Sequence, residues 1–414
     1  MIEQLNKILP EVNLYQGSFV NTRPLMPLVD LARILPANSQ GSKDLHRYID
    51  DEPTYHFFSE YIYMVVEHET KYEDGKNLML SDLPSFADIP FASHHLVNEL
   101  VSLPWSYRVF YPLWGDAAKL MPSATDEMVL SPTTRLLRIS ENNVSEFPKA
   151  PEHKENNLGP LFGSLFGSTA DRLSIGRVVF VTEVEGFIGR FAGSEPLRRA
   201  ESRLRSFFGL CLALGLLEKG SSYMPSPPKQ HLLVERTDQG SKVLERAYEL
   251  DDEFNLAISK FQPFTFTQKF DGETMELWRT TRLTLIRSAF KYSASSHKLQ
   301  LAARWHFDSV ANSGELLAFV QAMICLEIIL GEQSEASELG VGEAIRNRCA
   351  YLIGKSTGDR DQIIDDLKDI YRVRSKIVHT GKENLSAAER RMMMRLRQIC
   401  SLVLNRELEL ETQE

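Results

Sequence analysis

Beyond Arg304 the chain breaks into four apolar-periodic stretches separated by short gaps, a pattern that leaves few folds open. They run from Gly314 to Leu330, Leu339 to Ile353, Asp361 to His379, and Ser386 to about Glu409. Gly331, Gly354 and Gly381 stand just past the first three, where a helix that must stop uses a glycine. The fourth opens with Ser386 and Glu389, the S-x-x-E spacing in which each side chain covers the other's orphan backbone N–H. Four helices on short loops bury their stripes against one another, so residues 301–414 are expected to form an all-α four-helix bundle.

The rest of the chain reads as mixed α and β, which makes the fold class α+β. In residues 1–145, a mixed α/β N-terminal domain, "YIYMVV" and "YRVFYPLW" read as strands or short buried segments, and "PTTRLLRIS" alternates as a strand does. Residues 146–170, with "EFPKAPEHKENNLGP" and the doubled "LFGSLFGS", read as a linker or exposed loop. In the mixed region 171–300, "RVVFVTEVEGFIG" reads as a strand and turn. Ser194 starts a helix that continues through Leu217 and is closed by Gly220. "QHLLVERT" then reads as a strand, and "GSKVLERAYELDDEFNLAISKF" as a helix.

Composition narrows function mainly by exclusion. Of 414 residues, 43% are hydrophobic and 25% charged, as in globular proteins, and the formal charge of −9 requires any nucleic-acid contact to rest on a local patch. Cys211, Cys325, Cys349 and Cys400 lie far apart among apolar neighbours, which reads as buried, reduced thiols and suits the cytoplasm. The start, "MIEQLNKILP", lacks the features of a signal peptide. The longest apolar runs, Phe207 to Leu217 and Leu316 to Leu330, fall short of the ~20 residues a bilayer demands, so no membrane partner is expected. Neither the His94-His95 pair nor Glu67 to Glu69 has zinc spacing, and no phosphate-binding glycine loop or nucleophile elbow occurs. No metal or cofactor is expected. The glycine of "FAGSEPLRR" ahead of a helix start reads as an ordinary cap.

One stretch stands apart. "YRVRSKIVHTGK", Tyr371 to Lys382, holds Arg372, Arg374, Lys376, Lys382 and His379. At about 100° per residue, Ile370, Val373 and Ile377 share one stripe, while Arg374 and His379 stand about 140° apart. A straight helix does not aim both at one phosphate. Either the helix loosens before Thr380-Gly381, or a second copy of the chain completes the site, since a two-fold axis presents the same patch twice. RNA cleavage without metal needs a base for the ribose 2′-OH, positive charge on the phosphate, and an acid for the leaving oxygen. Imidazole serves as base or acid near neutral pH, and the guanidinium fork matches phosphate oxygens. Ser375, one turn before His379, can bond the imidazole or a phosphate, and Lys376 adds positive charge. Between Tyr371 and Cys400, eight basic residues (Arg372, Arg374, Lys376, Lys382, Arg390, Arg391, Arg395 and Arg397) face only Glu383 and Glu389, a surplus of six. Such a strip is an electrostatic footprint for a polyanion.

"RSKIVH", Arg374 to His379, resembles the R-x4-6-H signature of the HEPN superfamily. "ARWHFDS" (303–309), "LAFVQAMICLEIILG" (317–331), "IRNRCAYLIG" (345–354) and "IYRVRSKIVHTG" (370–381) are similar, in that order, to its Apea-like branch, over about a quarter of the chain. The resemblance implies a homodimeric, metal-independent endoribonuclease of antiphage defence (abortive infection) or of a toxin system. Arg374 and His379 would be its catalytic pair, Ser375, Lys376 and Glu327 would support them, and Glu327 would orient Arg374 by an ion pair. Arg372, Lys382, Arg390, Arg391 and Arg395 are the candidate RNA-binding residues, and the first 300 residues would sense a trigger or restrain the dimer. Many HEPN ribonucleases carry Asn, Asp or His where Ser375 stands. Toxins silenced by adenylylation carry a tyrosine where Gly381 stands, so that mode of control is not expected.

Plainer readings stand beside these. His379 can be a helix-terminal residue favoured by the dipole, Arg374 a structural partner of Glu327, and the arginines of the last helix a solvated face. The alternative function is a non-catalytic dimerising module that binds RNA or protein.

Overall fold

The computed structural model describes residues 1–32, 36, 38–49, 51–70, 75–148, 175–190, 194–220, 231–238, 241–264, 271–291, 293–312, 314–331 and 341–413. Most of the expected 146–170 linker, with both LFGS repeats, lies outside them, as do the first residues of "FAGSEPLRR". The chain forms two compact units, each assembled from separated stretches of sequence. Unit 1 is Met1–Val109, Glu183–Ala200 and Val234–Tyr248, and unit 2 is Phe110–Thr182, Glu201–Leu233 and Glu249–Glu414. Each unit draws on both the 1–145 and the 171–300 stretches of the sequence.

The N-terminal part of unit 1 contains helices α1 (Ile2–Ile8), α2 (Val29–Ala32), α3 (Gln40–Ile49), α4 (Pro53–Glu69) and α5 (Ile89–Val101). A small antiparallel sheet, ordered β2-β1-β3, joins β1 (Asn13–Tyr15), β2 (Phe19–Val20) and β3 (Leu78–Met79). "YIYMVV" is not a strand: it lies within the 17-residue α4, where Phe58, Ile62 and Val66 are buried at a spacing of four. Its β-branched and aromatic residues favour strands locally, but the burial period is helical, and Pro53 stands in the first turn, where its missing N–H costs nothing.

The largest sheet is ordered β10-β9-β4-β7-β6-β5. Its strands are β4 (Trp105–Pro112), β5 (Glu127–Ser131), β6 (Thr134–Arg138), β7 (Val178–Gly186), β9 (His231–Asp238) and β10 (Ser241–Glu249), while β8 (Leu217–Lys219) pairs separately with β11 (Phe261–Pro263). Strands β4, β6, β7 and β9 fall where the alternation placed them. Strand β10 occupies the first half of an expected helix. Leu250 and Asp251 break the segment, and the Asp251 carboxylate caps α7 (Asp252–Ser259) by accepting from Glu253 N–H (2.9 Å) and Phe254 N–H (3.1 Å).

Helix α6 (Glu195–Ala213) starts beside Ser194 as expected but stops before Gly220. Gly215 takes φ +71°, and Leu216 N–H reaches back to the Cys211 carbonyl (2.8 Å), a Schellman closure. In unit 2, a methyl group added to Gly209 of α6 would sit 1.8 Å from the Ala303 carbonyl oxygen, so two helix backbones touch there with no room for a side chain. Gly209→Ala is expected to cost about 1–3 kcal/mol through overpacking, read as a lowered denaturant midpoint. An unchanged midpoint would contradict this close crossing.

Among the described residues, five helices follow α8 (Gly272–Ser288): α9 (Ala294–Ala311), α10 (Glu315–Leu330), α11 (Val341–Ile353), α12 (Thr357–Thr380) and α13 (Ala387–Gln413). The last four are the expected segments. Helix α9 packs with them, against both α10 and α13, because it too buries a full face through Leu299, Ala302, Ala303 and Phe307. All four cysteines are buried. No helix among the described residues is long and apolar enough to cross a membrane.

Candidate active site

Helix α12 carries the singled-out stretch. Ser356 Oγ accepts from Asp359 N–H (3.2 Å) and starts the helix ahead of the expected Asp361. Ile363, Leu367, Ile370 and Val373 bury its inner stripe, whereas Ile377 is only half-buried. The helix runs through Thr380, whose hydroxyl closes the last turn on the Lys376 carbonyl (2.6 Å), and Gly381 terminates it at φ +63°. It therefore does not loosen between Arg374 and His379, and of the two routes left open by the periodicity this one is removed. Five residues of regular helix separate the two side chains by ~7.5 Å of rise and ~140° of turn.

Arg374 is 33% exposed and pairs with Glu327 of α10, Nη2 to Oε1 at 3.8 Å. Its Nε is buried without an acceptor, and so is the Tyr371 hydroxyl one turn earlier. Burial, reinforced by the Glu327 carboxylate, pushes the Tyr371 phenol up to about 12. Arg346 of α11 lies at the same place: a methyl group on Gly342 would meet Tyr371 Cε1 at 3.5 Å and Arg346 Nη1 at 3.6 Å. No local sequence signal marks Tyr371 or Arg346, although both lie in the segments 345–354 and 370–381 that carry the resemblance. The packing of α11 on α12 is what brings Arg346 to the Tyr371 ring, one turn before Arg374.

His379, Ser375 and Lys376 are exposed, and among the described residues their side chains make no hydrogen bond or ion pair. Ser375 does not hold the imidazole. The basic strip is answered by acids from elsewhere. Arg372 pairs with Asp369 (2.6 Å), Arg390 with Glu315 (2.7 Å), Arg395 with Asp366 (2.7 Å) and Lys382 with Glu389 (3.1 Å). Arg397 is turned inward, donating to the Ser309 hydroxyl (3.2 Å) and carbonyl. Arg391 stays exposed with no ion-pair partner among the described residues. Counting charge along the chain thus overstated the field, because three of these carboxylates belong to residues outside the strip's own stretch.

The Ser386–Glu389 capping box forms in both directions: Ser386 N–H donates to Glu389 (2.7 Å) and Glu389 N–H to Ser386 Oγ (3.3 Å). The backbone bond from Ser386, with the Ser386 hydroxyl and Lys382, holds the Glu389 carboxyl down to about 2. Because the folded value lies below the ordinary 4.5, this stabilisation is complete above pH 4.5 and is lost as pH falls toward 2. Glu389→Ala is expected to cost ~1 kcal/mol at neutral pH and progressively less in acid, measured by denaturant titration across that range. A cost independent of pH would count against the cap.

Comparison with protein-family models, with curated proteins and with solved structures finds no match to this chain. What the groups can do follows from their own chemistry. An exposed imidazole can take or give a proton, and a tethered guanidinium can hold an oxyanion. On one protomer, however, they point to different sides of α12.

Proposed function

We propose that the chain is a metal-independent endoribonuclease of HEPN type, acting as an antiphage or toxin-like effector in the cytoplasm, with Arg374 and His379 lining a cleft between two copies. The observation that carries this is the unbroken helix through both residues: it leaves His379 free on the surface and Arg374 tethered by Glu327 on another side, so a second copy is what can bring the two types together. In such a cleft one His379 accepts the ribose 2′-OH proton while the 2′-oxygen attacks phosphorus. Arg374 stabilises the charge gathering on the phosphoryl oxygens. The other His379 protonates the departing 5′-oxygen, leaving a 2′,3′-cyclic phosphate and a 5′-hydroxyl. The mixed α/β region would sense the trigger.

The test is incubation of the full chain with RNA in excess EDTA, with end analysis of the products. Cyclic-phosphate ends at an undiminished rate are expected, and loss of cleavage in EDTA would overturn the metal-independent mechanism. A second reading, a non-catalytic dimerising module that binds RNA or protein, is favoured by Val378, an apolar side chain 48% exposed next to His379, and by the ion-paired state of the basic strip. It is the reading that survives if the protein dimerises and never cuts RNA.

A further inference from the structure

Among the described residues, the carboxylate count around Arg374 does not balance. Arg346 is half-buried on α11, yet among the described residues it meets no carboxylate and donates no hydrogen bond. An arginine withdrawn from water is normally paired, because its desolvation is otherwise uncompensated. Beside it, Glu327 is the one carboxylate that forms an ion pair with Arg374 among the described residues. Among the described residues, two guanidinium groups stand against one carboxylate, so one positive charge there has no acid beside it in a partly dry niche. The same niche holds two donors without acceptors, Arg374 Nε and the Tyr371 hydroxyl. Each unsatisfied buried donor is a standing cost, and such costs persist where a ligand supplies the missing partner.

The elements hold these groups close. Helices α11 and α12 are joined by the three-residue Gly354–Ser356 connection and run antiparallel, with Arg360 of α12 over the Tyr351 ring of α11 (5.0 Å) near the connection. At the other end Gly342 spans the gap: Arg346 Nη1 and the Tyr371 ring edge, each within 3.6 Å of one point, are no more than about 7 Å apart. Arg374 follows Tyr371 by three residues, on the neighbouring helical position.

We propose that Arg346 joins Arg374 in a two-guanidinium subsite for the oxygens of a phosphodiester, with Glu327 and Tyr371 as positioning residues. The identity of the substrate, a ribose phosphodiester, rests on the nuclease reading; the anion binding does not. Planar forks match pairs of phosphate oxygens, and the phosphate gains a second negative charge as the 2′-oxygen attacks. A second guanidinium therefore binds the transition state better than the ground state, which is the condition for raising kcat.

Arg346→Gln in the full chain tests this, with inorganic phosphate as the probe in calorimetry and thermal unfolding. The wild type is expected to bind phosphate and rise in Tm, and the variant to bind it at least about tenfold more weakly, with Arg346→Lys between them. Without phosphate, the variant's Tm should equal or exceed that of the wild type, since an unpaired charge has been removed. In RNA cleavage kcat should fall about 10²-fold with a smaller change in KM. Failure of the wild type to bind phosphate, equal binding by the variant, or a lower unliganded Tm would overturn the subsite. Phosphate binding lost in the variant, in a protein that never cuts RNA, keeps the subsite and removes the nuclease. RNA cut by Arg346→Gln at the wild-type rate does the reverse.

Discussion

His379→Ala is expected to abolish RNA cleavage, lowering the rate by about 10³-fold or more, while the protein stays folded and dimeric. The magnitude follows from the two duties given to this side chain: a positioned proton-transfer group contributes about 10²–10⁴-fold, and a symmetric cleft loses base and acid together. The fold has little to lose, because His379 is exposed on the last turn of α12 and supports no other side chain among the described residues. Arg374→Ala should fall by about 10²–10³-fold through loss of oxyanion stabilisation. It also strips Glu327 of its partner, so Arg374→Lys, which keeps the charge and loses the fork, is the informative companion. Expression of the wild type should arrest growth, and both alanine variants should relieve the arrest. Cleavage by His379→Ala at the wild-type rate would remove the mechanism.

Phe307→Ala is expected to be the most destabilising of the substitutions considered, at about 3–5 kcal/mol, read from denaturant unfolding. Phe307 is 0% exposed on α9, in unit 2, and its ring meets Phe208, Phe254 and Phe261 at centroid distances of 5.9, 5.9 and 5.6 Å. Those partners come from α6, α7 and β11, so the ring fills the point where three elements converge on the helical part of the unit. Removing it leaves a cavity lined by rigid aromatic rings, which relax poorly into the space. A loss below about 1 kcal/mol would mean the rings close over the gap. Phe307→Leu, which keeps much of the volume, should retain most of the stability.

The ends of α10, the stop of α12 and the start of α13 were legible because their signals are local: a buried stripe, a glycine stop, a serine cap. The same rules failed at α4 and β10 for a physical reason. Tyr, Ile and Val in α4 prefer strands as isolated residues, but packing selected the period at which Phe58, Ile62 and Val66 all face inward. In β10 a segment rich in Leu, Glu, Arg and Ala suits a helix, yet it has strand β9 beside it, and tertiary pairing outweighs weak propensity. Of the candidate site, Arg374 and His379 stood out in one line of text, and Arg346 and Tyr371 did not.

The amino-acid order alone marked the four helices α10 to α13, the Ser386 cap and the Gly381 stop, and that Arg374 and His379 cannot face one point from a regular helix, since these depend on neighbours within a few residues. Only the tertiary structure decided the charges. Coulomb energy depends on distance in space, so Asp366, Asp369 and Glu315 came to answer Arg395, Arg372 and Arg390. Arg346 came to lie by the Tyr371 ring, one turn before Arg374, with no carboxylate partner among the described residues.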